Sequence, residues 1–149
     1  DSYINVQGDE PIFNPKDIKK LIKISKKLPN DIINGYCKIK DKYHYKSLNI
    51  PKVIFSKNKD LLYMSRAPIP GNKKNKFYRA YRQICAYVFP RKKLFSFKKK
   101  QKTLFENIED IEILRFLELG HKVKMVELSN LSKAVDTKSD LRIVKNLIK

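Results

Sequence analysis

Residues 3–38 read as strand, helix, strand, and nothing else in the chain limits its fold as much. "YINVQGDEPIF" opens on β-branched and aromatic residues and breaks at Gly8-Asp9-Glu10-Pro11, so Tyr3 to Val6 is expected as a strand that ends in a turn. In "NPKDIKKLIKISKKL", Asn14 is an N-cap, Pro15 takes the first helical position and Asp17 lies in the first turn. Ile18, Leu21 and Ile22 then recur at helical spacing, which predicts a helix to about Leu28. "DIINGYCKI" is the next strand. That order is the βαβ unit of an α/β protein.

The middle of the chain changes character. "KVIFSKNKDLLYMS" places two β-rich runs around "KNKD", which predicts a hairpin and therefore an antiparallel insertion. "RAPIPGNKKNK" has no apolar period and is a loop. "RQICAYVF" returns to strand and stops at Pro90, and a short helix is expected from Arg91. "ENIEDIEILRFLELG" predicts one continuous helix with Ile108, Ile111, Leu114 and Leu117 on its apolar face, flanked by Ile113 and Phe116 and ended by Gly120. "KVKMVEL" alternates as a strand. "AVDTKSDLRIVKNLIK" supplies a short strand end, a Thr137 cap with Asp140 three residues on, and a last helix.

With 149 residues, 42% of them hydrophobic, the chain has material for one packed core or for part of a larger domain. No apolar run approaches the ~20 residues of a membrane-spanning helix, and no stretch has a signal-peptide layout, so a cytoplasmic protein without a membrane partner is expected. Cys37 and Cys85 lack C-x-x-C spacing and read as buried apolar side chains in a reducing compartment. The net charge of +19 suggests nucleic acid, but its lysines are scattered over nearly every segment and far outnumber its arginines. Runs such as "KKNK" and "FKKKQK" are therefore read as solvated surface, and no nucleic-acid partner is expected.

Several chemistries find no support. There is no G-x-G-x-x-G, P-loop or G-x-S-x-G, and His44 and His121 stand apart from any metal-ligand spacing. What remains is a pair of aspartates at strand ends: Asp9 after "YINVQ" and Asp136 after "SKAV". Ligands of open α/β sheets bind outside the carboxyl ends of strands, and two converging carboxylates suit Mg²⁺ with substrate phosphates. Asp in a turn or beside a helix start also occurs for conformational reasons alone.

"YINVQGDEP", "PKDI", "LLYMSRAPIP", "YRQICAYVF", "IEDIEILRFLELGHKVKMVEL" and "AVDTKSDL" follow one another across the chain. In that order they resemble the 3-deoxy-manno-octulosonate (Kdo) cytidylyltransferases, the CMP-Kdo synthetases of Gram-negative bacteria. The resemblance implies an α/β nucleotidyltransferase fold, a Rossmann-like three-layer sandwich with an antiparallel insertion. It also implies transfer of CMP from CTP to Kdo with Mg²⁺, in lipopolysaccharide synthesis. Asp9 and Asp136 match the family's Mg²⁺-binding aspartates. Gln7, Arg66, Tyr87 and Glu112 match sugar-site positions, Arg66 suiting the sugar carboxylate. Gln83 and Cys85 stand where the family usually has His and Gly in "RHIG", and Ile113 where many members have Gln. These changes touch the sugar side and leave open an amino-Kdo, a sialic-acid-like sugar or another acidic ulosonate. The family's opening loop, like "IPARxxSxRLPGKPL", has no counterpart here. Residues 1–149 are accordingly expected to be the C-terminal portion of one cytidylyltransferase domain, incomplete at the N-terminus and inactive alone. The resemblance further implies a homodimer formed largely through the insertion at about residues 52–89. A non-catalytic remnant or nucleic-acid-binding module is the competing reading.

Overall fold

The computed structural model describes residues 1–131, 134–135 and 137–148. Among the described residues six strands and six helices follow one another, beginning with β1 (Ser2–Val6), α1 (Pro15–Lys27), β2 (Ile32–Lys38), α2 (Lys42–Lys46), β3 (Lys52–Phe55), β4 (Leu61–Ser65) and β5 (Tyr81–Pro90). The chain continues through α3 (Arg91–Lys98), α4 (Leu104–Glu109), α5 (Ile113–Glu118), β6 (Val123–Glu127) and α6 (Lys138–Ile148).

The expected βαβ unit is present in a split form. β1 and β2 are each antiparallel to β5 and so point the same way, but β5 lies between them. β6 pairs parallel with β2, and the β3–β4 hairpin joins the sheet through the single pair Lys52 and Arg82, giving the order β4-β3-β5-β2-β6. β3 and β1 therefore share one edge of β5. β1 takes residues Ala86 to Pro90, β3 takes Arg82, and a gap opens between them.

Alternation along the strands sends side chains to two cores. On one face Ile33, Cys37, Ile84, Ala86 and Val88 pack with Leu21 of α1. On the other, Ile32, Tyr36, Val123 and Met125 pack with Ile113, Leu114 and Phe116 of α5 and with Val53, Leu61 and Met64 of the hairpin. Helix, sheet and helix make the three layers expected from the sequence. The hairpin crosses that second face: its turn residue Lys59, at φ 64°, accepts a bond from Met125 N–H at 2.7 Å, and Asp60 Oδ1 lies 2.5 Å from Lys124 Nζ.

The local signals hold at the remaining ends. Asn14 Oδ1 accepts from Lys16 N–H at 3.0 Å. Thr137 and Asp140 cap each other, Oγ1 accepting from Asp140 N–H and Oδ2 from Thr137 N–H. The strand end foreseen around "SKAV" falls partly outside the described residues, and Ala134 and Val135 are not strand; Val135 N–H instead donates to Asp9 O at 2.9 Å.

One expectation is corrected. Residues 106–120 do not form a continuous helix: Asp110 adopts a left-handed conformation, φ 51° and ψ 51°, and separates α4 from α5. Ile108 is consequently 69% exposed and leaves the apolar face assigned to it, while Ile111, Ile113, Leu114 and Phe116 are buried. Across the break α4 and α5 are fastened to each other by charge. Arg115 grips Glu106 in a fork, Nε to Oε2 and Nη2 to Oε1, both at 2.5 Å, with the guanidinium 3.7 Å from the Phe97 ring centroid. Burial alone would raise the Glu106 carboxyl, but the Arg115 fork and the Thr103 N–H hold it below its ordinary value. Gly120, at φ 77°, closes α5 as expected, with His121 N–H reaching Phe116 O.

Replacing Arg115 with Met strands a carboxylate that is 1% exposed. Denaturant unfolding at pH 7 is expected to show a loss of about 3–5 kcal/mol, much of it recovered when Glu106→Gln is added.

Candidate functional site

The gap on the edge of β5 is the mouth of a cleft of about 240 Å³. Its position follows from two departing strands. β1 leaves β5 at Gln7, whose N–H still reaches Cys85 O at 3.3 Å, and β3 arrives at Pro51, whose carbonyl accepts from Gln83 N–H at 3.0 Å. β5 presents Gln83 and Cys85 to the cleft between these points and Tyr87 just beyond them, opposite β1.

Six of the seven residues singled out from the sequence line this one cleft: Gln7 and Asp9 beyond β1, Arg66 beyond β4, Gln83 and Tyr87 on β5, and Glu112 at the start of α5. They come from positions 105 residues apart at the extremes (112 − 7) and from four elements. Asp136 lies outside the described residues.

Arg66 is held by the interruption between α4 and α5. Its Nε donates to Glu109 O at 2.7 Å, Nη2 to Asp110 O at 3.1 Å, and Nη1 to Leu48 O at 3.2 Å. A continuous helix would turn the first two carbonyls to its own amides. The Glu109 carboxylate completes the hold, accepting from Arg66 N–H at 2.8 Å and from Ser65 Oγ at 2.6 Å. Three of the five guanidinium hydrogens are thus anchored, and Nη2 also lies 3.9 Å from Asp110 Oδ2.

Residues that the sequence did not mark complete the site. Glu10 is 3% exposed and accepts from Cys85 N–H at 3.0 Å, tying the turn after β1 to β5. Its neighbour Asp9 is exposed on the cleft, and its carboxylate has no hydrogen-bond or ion-pair partner among the described residues. Lys52 is 0% exposed and donates from Nζ to Ser47 O at 2.7 Å and to Arg66 O, so it braces the segment that carries Arg66. The adjacency of Asp9 and Glu10 was visible in the sequence; the reach of Glu109 and Lys52 across 43 and 14 positions was not.

The electrostatics of the cleft run against those of the whole chain. Among the described residues, Asp9, Glu10, Asp110 and Glu112 line it with only Arg66 and Arg82 as formal cations, in a chain of charge +19. Among the described residues no three His, Cys, Asp or Glu side chains form a metal cluster. Mg²⁺ does not need one, since it takes one or two carboxylates and completes its shell with water and substrate phosphate. A solvent-facing, unpaired Asp9 fits such a donor. Burial pushes the Cys85 thiol up to about 12, with the Glu10 and Asp9 charges adding to it, and burial raises Cys37 to about 11. Burial also drives the Tyr87 hydroxyl well above its ordinary value, so it stays a neutral donor in the cleft.

Ser96 and His121 meet at 2.8 Å outside the cleft, but Lys93 Nζ lies 3.2 Å from Nδ1. That ammonium takes the Nδ1 lone pair, so Nε2 carries the hydrogen toward Ser96 and does not act as its base.

Two tests follow from these environments. At pH 8 iodoacetamide is expected to label the native thiols at least about 100-fold more slowly than those of the unfolded chain. Comparable rates would contradict the buried placement. Burial holds Lys52 at about 8 against an ordinary 10.5. Between these values the unfolded chain carries a proton that the folded one lacks, so the stability of wild type relative to Lys52→Met rises from pH 8 to 10.5. Below pH 8 the difference is flat. Urea unfolding across that range checks the sign.

A family model described as cytidylyltransferase matches residues 1–125. An 8-amino-3,8-dideoxy-manno-octulosonate cytidylyltransferase of Shewanella halifaxensis is 34% identical over 145 residues, 96% of this chain and 59% of the relative. A 3-deoxy-manno-octulosonate cytidylyltransferase of Fusobacterium nucleatum is 36% identical over 151 residues, 100% of this chain and 61% of the relative. A solved CMP:2-keto-3-deoxy-manno-octonic acid synthetase complexed with CTP superposes with a TM-score of 0.90 at 28% identity, over 99% of this chain and 61% of that one. The chain thus spans about three-fifths of the length of the relatives it matches.

Proposed function

Since the chain belongs to the cytidylyltransferase family, we propose that the protein transfers CMP from CTP to an acidic ulosonate sugar of the Kdo type. The products are the CMP-sugar and pyrophosphate, for lipopolysaccharide synthesis in the cytoplasm. The observation that carries the proposal is the convergence of Gln7, Asp9, Arg66, Gln83, Tyr87 and Glu112 on one cleft.

In this reading the hydroxyl on the anomeric carbon of the sugar forms a bond to the α-phosphorus of CTP. The bond from that phosphorus to the bridging oxygen breaks, pyrophosphate leaves, and the hydroxyl proton is released. Arg66, fixed at three of its hydrogens, binds the sugar carboxylate and sets the ring's orientation. Gln7, Gln83, Tyr87 and Glu112 bond the hydroxyls around it. Asp9 would hold Mg²⁺ together with Asp136. When bound, that ion offsets triphosphate charge as the α-phosphate is attacked. Glu10 and Lys52 act at one remove, by keeping Asp9 and Arg66 where they stand. The net negative lining suits this division, because both substrates are anions and a cation between carboxylates and phosphates removes the conflict.

A substituent that carries a positive charge is the second reading, favoured by the same acidic lining: the relatives include enzymes named for the 8-amino sugar as well as for Kdo. The insertion at about residues 52–89, with Leu62 of β4 60% exposed, is the surface we assign to a homodimer. No helix among the described residues is long and apolar enough to cross a membrane.

Pyrophosphate release from CTP by the intact protein, with Kdo, 8-amino-Kdo and a sialic acid offered in turn, tests the reaction and ranks the sugars. Asp9→Asn is expected to lower turnover by roughly 100-fold or more with unfolding unchanged. Silence of wild type toward every ulosonate, or full activity of Asp9→Asn, would overturn the assignment.

A further inference from the structure

Three polar side chains beside the cleft, Asn34, Gln83 and Tyr87, are joined in a chain of hydrogen bonds whose direction is set by the backbone. Asn34 of β2 is 0% exposed and sits where pairing with β5 shifts register between Asn34 and Gly35. A Cβ at Gly35 would meet Leu128 Cδ1 at 2.5 Å, so β2 and its neighbours close tightly there. At the shift, Asn34 Nδ2 donates to Ile84 O at 3.0 Å and to Ala86 O at 3.1 Å.

Carbonyls only accept, so Asn34 must turn its nitrogen to β5 and its Oδ1 toward Gln83. Gln83 answers with Nε2, which donates to Asn34 Oδ1 at 3.1 Å and to Tyr87 Oη at 2.9 Å. Both amide hydrogens of Gln83 are then placed inside the protein. Its Oε1 is the polar atom left over, on a residue that lines the cleft. A glutamine without Asn34 behind it could present either end of its amide to a ligand; this one presents oxygen.

We infer that Asn34 is a positioning residue, which locks the Gln83 amide with its oxygen toward the cleft and so makes this subsite select a hydrogen-bond donor on the sugar, a hydroxyl or an ammonium, over an acceptor. The inference rests on the proposed sugar site for the identity of the ligand, but the locking itself does not. Asn34 lies outside the cleft and acts through Gln83. The pair works as one unit: either member alone leaves the amide free to rotate.

The locking is read directly by exchange of the Gln83 side-chain amide hydrogens with solvent, in ¹⁵N-resolved spectra of the intact protein. They are expected to exchange at least about 10-fold more slowly than those of Gln101, and Asn34→Ala should abolish the difference. Asn34→Asp keeps an oxygen toward Gln83 while removing the donor to the two carbonyls. It should lower stability yet retain the protection, which a purely structural Asn34 would not do. Unprotected Gln83 hydrogens in wild type, or protection that survives Asn34→Ala, overturn the inference. The selectivity is read by KM at saturating CTP. Gln83→Met and Asn34→Ala should each raise the ulosonate KM by roughly 10-fold, and together no further, with the KM for CTP unmoved. Additive losses, or a matching change for CTP, overturn the positioning role. Wild type that turns over no ulosonate overturns the sugar assignment, while the exchange measurement still decides the placement of Gln83.

Discussion

Everything distinctive in this structure depends on how one edge of β5 is shared. β1 and β3 both lie against it, one at each end, and neither covers the stretch from Gln83 to Cys85. A continuous partner would satisfy those backbone groups and leave no opening. Here they are met piecemeal: Gln7 N–H takes Cys85 O, Glu10 Oε1 takes Cys85 N–H, and Pro51 O takes Gln83 N–H. Each substitute bond also pins a segment that lines the cleft. The opening and its walls therefore have the same origin, the need to pair buried backbone where no strand does so.

A similar exchange happens on the opposite wall. The sheet needs the apolar face of residues 111–116, and the cleft needs carbonyls turned outward at 109 and 110. One straight helix cannot provide both, because its carbonyls bond its own amides. The left-handed Asp110 costs a little in backbone energy, and in return two carbonyls reach Arg66. The Glu106–Arg115 fork then holds the two short helices in register across the break, with Phe97 covering its guanidinium. The break is thus a feature of the site that the core has been arranged to tolerate.

This explains which parts were readable beforehand. Elements governed by neighbours in sequence were legible: the Asn14 cap, the Thr137–Asp140 cap, the Gly120 stop and the hairpin around "KNKD" all form where local chemistry puts them. The place of β5 between β1 and β2 was not legible, because it is decided by pairing between residues 43 (81 − 38) to 88 (90 − 2) positions apart. The break at Asp110 was hidden for a different reason. Its apolar period continues unbroken in sequence, and only Arg66, 44 positions earlier, calls on the carbonyls there. In the site, motif wording pointed to the residues that face the cleft. It was silent on Asn34, Lys52 and Glu109, whose side chains act on other protein groups and whose roles exist only once distant segments meet.

The charge of the chain also takes on a clearer meaning. Scattered lysines suggested mere solvated surface, and by count they are mostly that. Yet a field of +19 surrounds a cleft whose described lining is acidic, and the two act at different ranges. Unpaired surface cations draw anionic substrates over distances of about a Debye length, roughly 8 Å at physiological salt. Inside the cleft the acidic side chains would repel the same anions unless a cation stood between them. The proposed CTP and ulosonate are both anions, so attraction at long range and a requirement for a cation at short range follow from one charge distribution. Arg66 is the exception that fits the proposal: anchored by neutral carbonyls as well as by Glu109, it would keep part of its charge for the proposed sugar carboxylate. Gln83 on the same cleft is neutral and held by Asn34 and Tyr87, so in the proposed site the sugar would be recognised by the direction of its hydrogen bonds and not by charge alone.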